Sequence, residues 1–266
     1  MTTTWLAPES LDEVLELRGE HGDATVIAGG TFVGILMNQG FLEPQALLSL
    51  GHVPGLDGIE VVEGELRLGA MATHRAVERS AAVREGWPVL ARAFSLVASP
   101  RIRNQATVGG VLADADYASD PPAVLAALGA QVLLRSVHGE RRVGIDELIR
   151  GHYETCIAAD ELLVEVRVPP GPERAVYRKF RSRSSEDRPC VAVAAVRGED
   201  GLRVVVGAVS GRPQELPEVC ANGGGPAAVG RGYAEAIEPI SDSRGSAAYR
   251  RRVIAVEVRR ALEELG

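Results

Sequence analysis

Two pairs of adjacent glycines restrict this chain more than any other feature. The first, Ala28-Gly29-Gly30-Thr31, ends Ala24-Thr25-Val26-Ile27-Ala28, which reads as a short strand, and precedes a helix-like stretch from Phe32 to Gln39. The second, Thr107-Val108-Gly109-Gly110, is followed by Ser119-Asp120. Without a Cβ, glycine turns tightly and lets another group approach the peptide N–H directly. A helix starting just after such a turn adds partial positive charge, which suits a phosphate. Each pair alone also has a purely structural reading. Together they favour one extended, phosphate-bearing ligand. The spacing is neither GxGxxG nor a P-loop, because no Lys-Ser or Lys-Thr follows.

Around these loops the pattern alternates between helix and strand. Ser10 with Glu13 predicts a capping box, and Leu11, Val14, Leu15 and Leu17 an apolar helical stripe that Gly22 ends. Leu47–Leu50 reads as a strand, and Ile59–Val62 with Leu66–Ala70 as a hairpin around Glu63-Gly64. Thr73–Glu78, Trp87–Val97 and Pro121–Leu128 read as helices; Gln131–Arg135 and Leu162–Val168 read as strands. After Pro169-Pro170-Gly171-Pro172, the clearest linker, Val191–Arg197 and Leu202–Val209 flank a turn at Glu199-Asp200-Gly201. Gly223–Val229 reads as a loop or weak helix start, and Ser246–Leu265 as one helix. Two domains are expected, 1–172 and 173–266, the first with lobes of roughly 1–55 and 56–172.

Composition narrows the classes. A chain of 266 residues that is 45% hydrophobic builds a real core, and a net charge of -7 argues against nucleic-acid binding. Cys156, Cys190 and Cys220 are widely spaced, which suits ordinary thiols rather than a disulfide framework or an iron–sulfur site. The N-terminus has no signal-peptide pattern and no segment reaches membrane-span length, so a cytoplasmic protein without a membrane span is expected.

Other constellations carry less. His21, His52, His74, His138 and His152 show no metal-ligand spacing and are expected on surfaces or loops. No GxSxG occurs. Asp114 and Asp116 read as a solvated turn, and the arginines at 178–183 and 250–252 as solvated surface. Asp120 has two readings: a cap for the helix at Pro121, or an acceptor for a sugar hydroxyl or ring N–H. Lys179, between Tyr177 and Phe180, either closes over a ring or lies on the surface.

These residues, taken in order, resemble the FAD-binding, or medium, subunit of the molybdenum hydroxylases. Ala28–Thr31 is similar to that family's first FAD loop, and Arg101–Gly110 to its more specific IRNxxTxGG motif. Ala118-Ser119-Asp120-Pro121-Pro122, Glu161-Leu162-Leu163, Tyr177–Phe180 and Tyr249-Arg250-Arg251 extend the likeness nearly end to end. The resemblance implies an α+β protein: a two-lobed FAD-binding domain with the flavin extended between its lobes, and a smaller C-terminal α+β domain of antiparallel sheet and helices. It places FAD against Ala28, Gly29, Gly30, Thr31, Phe32, Val33, Thr107, Gly109, Gly110, Val111, Ser119 and Asp120, with Leu162 and Lys179 near the isoalloxazine. It implies no catalytic residue and no metal ligand on this chain.

The implied activity is electron transfer from a 2Fe–2S small subunit, fed by a molybdopterin large subunit, through FAD to NAD, a quinone, a cytochrome or oxygen. The partners would be separate chains in a heterotrimer or its dimer. A stand-alone flavin oxidase and a flavin-less organising subunit are the alternatives. Two departures stand out: Phe32-Val33-Gly34 where relatives often carry a polar residue then leucines, and Val111 where many carry a polar side chain. The second removes one hydrogen bond, worth about 0.5–1.5 kcal/mol.

Overall fold

The computed structural model describes residues 3–184, 186–199 and 201–266. The first sheet is small and parallel, in the order Thr4–Leu6, Ala46–Ser49, Thr25–Ile27. The helix Leu11–Glu20 buries Val14 and Leu15 in a core shared with Leu48 of the central strand and Leu133. Ser10 caps that helix by accepting from the Glu13 N–H, while the Glu13 carboxylate reaches back to the Glu9 N–H. The edge strand Thr4–Leu6 escapes sequence reading, because three residues are too few to display alternation.

The second sheet is antiparallel, ordered Ile59–Val62, Glu65–Gly69, Leu162–Val168, Gln131–Ser136, Gly139–Gly144. Glu63 and Gly64 both take positive φ, 53° and 84°, the turn that matches strand twist in a two-residue hairpin. Strand Leu162–Val168 serves two cores, since successive side chains point to opposite faces and a bulge between Leu163 and Glu165 reverses the alternation along the strand. Leu162 and Val164 join the core of the first sheet, whereas Leu163, Val166 and Val168 join the larger core containing Leu90, Phe94 and Leu125. One strand thereby fastens the two sheets together.

The third sheet, Arg174–Phe180, Val191–Gly198, Gly201–Gly207 and Gln214–Glu215, is also antiparallel. Its strand Val191–Gly198 is unbrokenly apolar up to Val196 because both faces are covered. Val191, Val193 and Ala195 pack under the helices Pro226–Ala236 and Ala247–Leu265, while Ala192, Ala194 and Val196 join the large core. The glycine-rich stretch after residue 223 becomes a full helix at Pro226, with proline at its tolerated first position. There Gly230 fits where a Cβ would stand 2.4 Å from the Ala255 carbonyl oxygen, so this glycine sets the helix–helix approach.

Two arginines of the basic stretches, Arg178 and Arg250, are not solvated surface, while Arg183, Arg251 and Arg252 are exposed as expected. Arg250 is fully buried: it donates to the Ile240 carbonyl at 3.1 Å and to Asp242 at 2.7 Å. Arg178 pairs with Glu257 and Glu264, both at 2.8 Å. Asp242 also accepts from the Tyr117 hydroxyl, from Arg244 and from the Arg244 backbone N–H. This knot ties the C-terminal helix to the loop that precedes Asp120. Burial works to raise the Asp242 carboxyl, but the bonds from Tyr117, the Arg244 backbone and Arg250 prevail and hold it well below the usual carboxylate range. Such a depressed group stabilises the fold above its unfolded pKa and loses that contribution as the pH falls through its folded one. Asp242→Asn is therefore expected to lower stability at neutral pH and narrow its gap to wild type as the medium is acidified, measured by urea unfolding across the acid range.

Candidate functional site

The three sheets meet around a cavity of about 770 Å³, within the range of ligand sites, about 300–1,000 Å³. Every sequence-derived site residue lines it: Ala28 to Val33 from the first loop; Thr107, Gly109, Gly110 and Val111 from the second; Ser119 and Asp120; Leu162 and Lys179. Residues spread over most of the chain thus converge on one space.

The first loop carries free donors. None of the backbone N–H groups from Gly29 to Val33 donates to an acceptor among the described residues. Buried backbone groups are ordinarily paired, so a run of open donors on a cavity wall marks a place for an acceptor-rich ligand such as a diphosphate. Gly30 adopts φ 68°, the left-handed conformation that favours glycine. At Gly29 a Cβ would stand 1.8 Å from the Gln105 carbonyl oxygen, so the first loop rests directly on the chain leading into the second.

The second loop differs from the expectation that it, too, offers spare backbone donors. Val108, Gly109, Gly110 and Val111 begin the helix Val108–Asp114, and their N–H groups already donate to Ala72 O, Ala70 O, Thr107 Oγ1 and Thr107 O. Thr107 is the N-cap of that helix. The glycines serve closeness instead: a Cβ on Gly109 would stand 2.7 Å from Ala70 Cβ. Val111 packs against the large core from the cavity wall.

Asp120 resolves neither as a cap nor as a free acceptor. It makes no capping bond. It accepts from the Tyr177 hydroxyl at 2.5 Å and from Lys179 Nζ at 2.8 Å, and Nζ also donates to the Leu96 carbonyl at 2.8 Å. The Asp120 and Lys179 side chains are 3% and 2% exposed, so this ion pair is buried across the junction of the third sheet with the rest. Burial raises the Asp120 carboxyl and lowers the Lys179 ammonium, while their attraction offsets part of each shift. Neither the surface reading of Lys179 nor the capping reading of Asp120 stands.

Several residues in or behind the cavity wall escaped the sequence. His74 is buried, 1% exposed, against the expectation of a surface histidine. Its Nε2 lies 3.1 Å from the Thr107 carbonyl oxygen, and burial pulls its pKa down to about 4, so it is a neutral brace for the second loop at ordinary pH. Arg103 within the IRN motif donates to the carbonyls of Val97 and Ala98 at 2.8 and 2.9 Å and to Glu78 at 3.0 Å. It holds a left-handed turn at Ala98, φ 39°, whose residues line the cavity. Tyr153, from the hairpin Ile149–Gly151 with Glu154–Thr155, stacks between His152 and Phe32 with centroids 3.9 and 5.4 Å away. Phe32 thus finds an aromatic neighbour on the cavity wall. Only Arg103 carried a signal, its place in a motif.

Unengaged donors in one loop, tight glycine contacts and an apolar wall formed by Val111, Leu162 and Leu163 define an α+β protein built to hold an elongated phosphate-bearing cofactor. Residues 1–171 match the family described as the FAD binding domain in molybdopterin dehydrogenase. The chain belongs to that family. It is 33% identical over 273 residues to the nicotine 6-hydroxylase medium subunit of Paenarthrobacter nicotinovorans, covering 98% of this chain and 96% of that one. Among solved structures it is similar to carbon monoxide dehydrogenase from Hydrogenophaga pseudoflava, with a TM-score of 0.94, 29% identity, and coverage of 100% and 97%. It is also similar to quinoline 2-oxidoreductase from Pseudomonas putida 86, with a TM-score of 0.90, 29% identity, and the same coverage. Its cofactor is FAD, and it is a flavin-dependent oxidoreductase subunit. No helix among the described residues is long and apolar enough to cross a membrane.

Proposed function

We propose that this chain is the FAD-bearing electron-transfer subunit of a heteromeric molybdenum hydroxylase. It would pass electrons from a 2Fe–2S subunit, fed by a molybdopterin subunit, to an external acceptor: NAD, a quinone, a cytochrome or oxygen. The observation that carries this reading is the run of open N–H groups from Gly29 to Val33 on the wall of the cavity. Those donors hold the diphosphate. The Thr107 hydroxyl, whose oxygen accepts from Gly110, retains its own proton for a cofactor oxygen. Leu162 and Lys179 stand on the flavin-ring side; Lys179 spends two N–H bonds on Asp120 and Leu96 and keeps a third. Val111, Leu162 and Leu163 exclude water there. Bound FAD supplies the redox chemistry, and the protein supplies position and electrostatics.

Lobes of 1–55 and 56–172 and a C-terminal domain of 173–266 are part of the same proposal, supported by the separate sheets that begin on either side of Pro169–Pro172. The cavity would then lie where all three parts meet.

The purified protein is expected to show a flavin absorption spectrum, to release FAD at about one per chain, and to co-purify with chains carrying iron and molybdenum. Flavin present with no partner chains supports a stand-alone oxidase instead. A colourless protein that ignores added FAD overturns the assignment of this cavity.

A further inference from the structure

Asp114 ends the helix Val108–Asp114 and lines the cavity, yet nothing in the preceding reading employs it. Its Oδ1 is sealed from water and meets no hydrogen-bond partner among the described residues. The next residue, Ala115, ends the helix in a left-handed turn with φ 48°, which leaves Asp114 at the negative end of the peptide dipoles.

The charges around it come from three directions. Asp116, on the same loop, is 3% exposed and accepts from the Ala118 N–H at 3.0 Å. Arg188, beyond the strand Arg174–Phe180, stands 2.6 Å from Asp116 Oδ2, so its charge is committed to that carboxylate, and its side chain is 46% exposed. Tyr153 approaches from the hairpin, and Glu186 and Lys179 line the same cavity. Burial and Asp116 both disfavour the Asp114 carboxylate, and only Arg188 favours it. Its carboxyl is pushed up to about 7, with desolvation the larger cause.

We infer that Asp114 is a further cofactor-binding residue: a neutral carboxylic acid that donates a hydrogen bond to an acceptor oxygen or nitrogen of the bound flavin nucleotide. This rests on FAD occupying the cavity as proposed above. A protonated carboxyl has an O–H to give, whereas the carboxylate only accepts and repels the oxygens of the ligand. Affinity is therefore retained while Asp114 holds its proton and falls as rising pH removes it, because the complex binds one more proton than the free protein.

The test is the dissociation constant of FAD for the flavin-depleted full chain, from flavin fluorescence between about pH 5 and 9. Wild type is expected to bind at constant affinity at the acid end and to weaken by up to about tenfold per pH unit above its midpoint. Asp114→Asn, which keeps an uncharged donor, should remove that fall. Arg188→Gln, on an exposed side chain, should move the midpoint of the fall to higher pH, because it removes the one positive charge that favours the Asp114 carboxylate. A flat wild-type profile, or a fall that persists in Asp114→Asn, overturns the role of Asp114 while leaving the cavity assignment intact. Failure to bind FAD at any pH overturns both.

Discussion

Asp120→Ala is expected to cost about 3–5 kcal/mol of folding stability, because it strands a buried ammonium. Lys179 Nζ keeps only the Leu96 carbonyl, and the Tyr177 hydroxyl loses its acceptor in a fully buried position. Burying two charges is costly in itself, so the pair need not be a net source of stability. Removing both partners together should therefore recover most of the loss. Urea unfolding of Asp120→Ala, Lys179→Met and the combined Asp120→Leu/Lys179→Met chain measures this. A loss below about 1 kcal/mol in Asp120→Ala would show that water reaches the pair and that the junction is looser than a buried ion pair requires. The same variants titrated with FAD separate the structural cost from any loss of cofactor grip.

Gly29→Ala is expected to weaken FAD binding by at least about tenfold, the equivalent of one or two lost hydrogen bonds. The added methyl would collide with the Gln105 carbonyl, and that carbonyl belongs to the backbone rather than to a flexible side chain. The first loop must move, and its open donors move with it. Overpacking of this kind also costs about 1–3 kcal/mol of stability. Gly34→Ala is the matched control. There a Cβ meets no atom within 4 Å, so the effect on FAD should be smaller. Equal FAD affinities for Gly29→Ala and wild type would remove the first loop from the binding site.

Much of the fold was legible because local chemistry and tertiary demand agree. Ser10, Thr73 and Ser246 each accept from a first-turn N–H and start a helix where the pattern predicts one. Glu63-Gly64 makes its hairpin, and the unbroken apolar run from Val191 to Val196 does announce a strand covered on both faces. The helix after Pro226 was hidden by its glycines, whose purpose, close packing of Gly230 on Ala255 and of Gly232 on Val219, exists only once the neighbouring helices are in place.

The sequence by itself determined the family likeness, the two glycine loops and the set of residues that gather at one cavity. Motif residues are close in the chain, and their spacing is carried by the string itself. Tertiary structure decided what each of them does. Gly29–Val33 keep their donors and Val108–Val111 spend theirs, because Ala72, Ala70 and the capping Thr107 lie within reach of the second loop. Asp120 belongs to a lysine and a tyrosine nearly sixty residues away, and Arg250 to a buried knot rather than to solvent. Charge, pKa and hydrogen-bond partners depend on distance through space and on the loss of water, and neither is written in the order of residues.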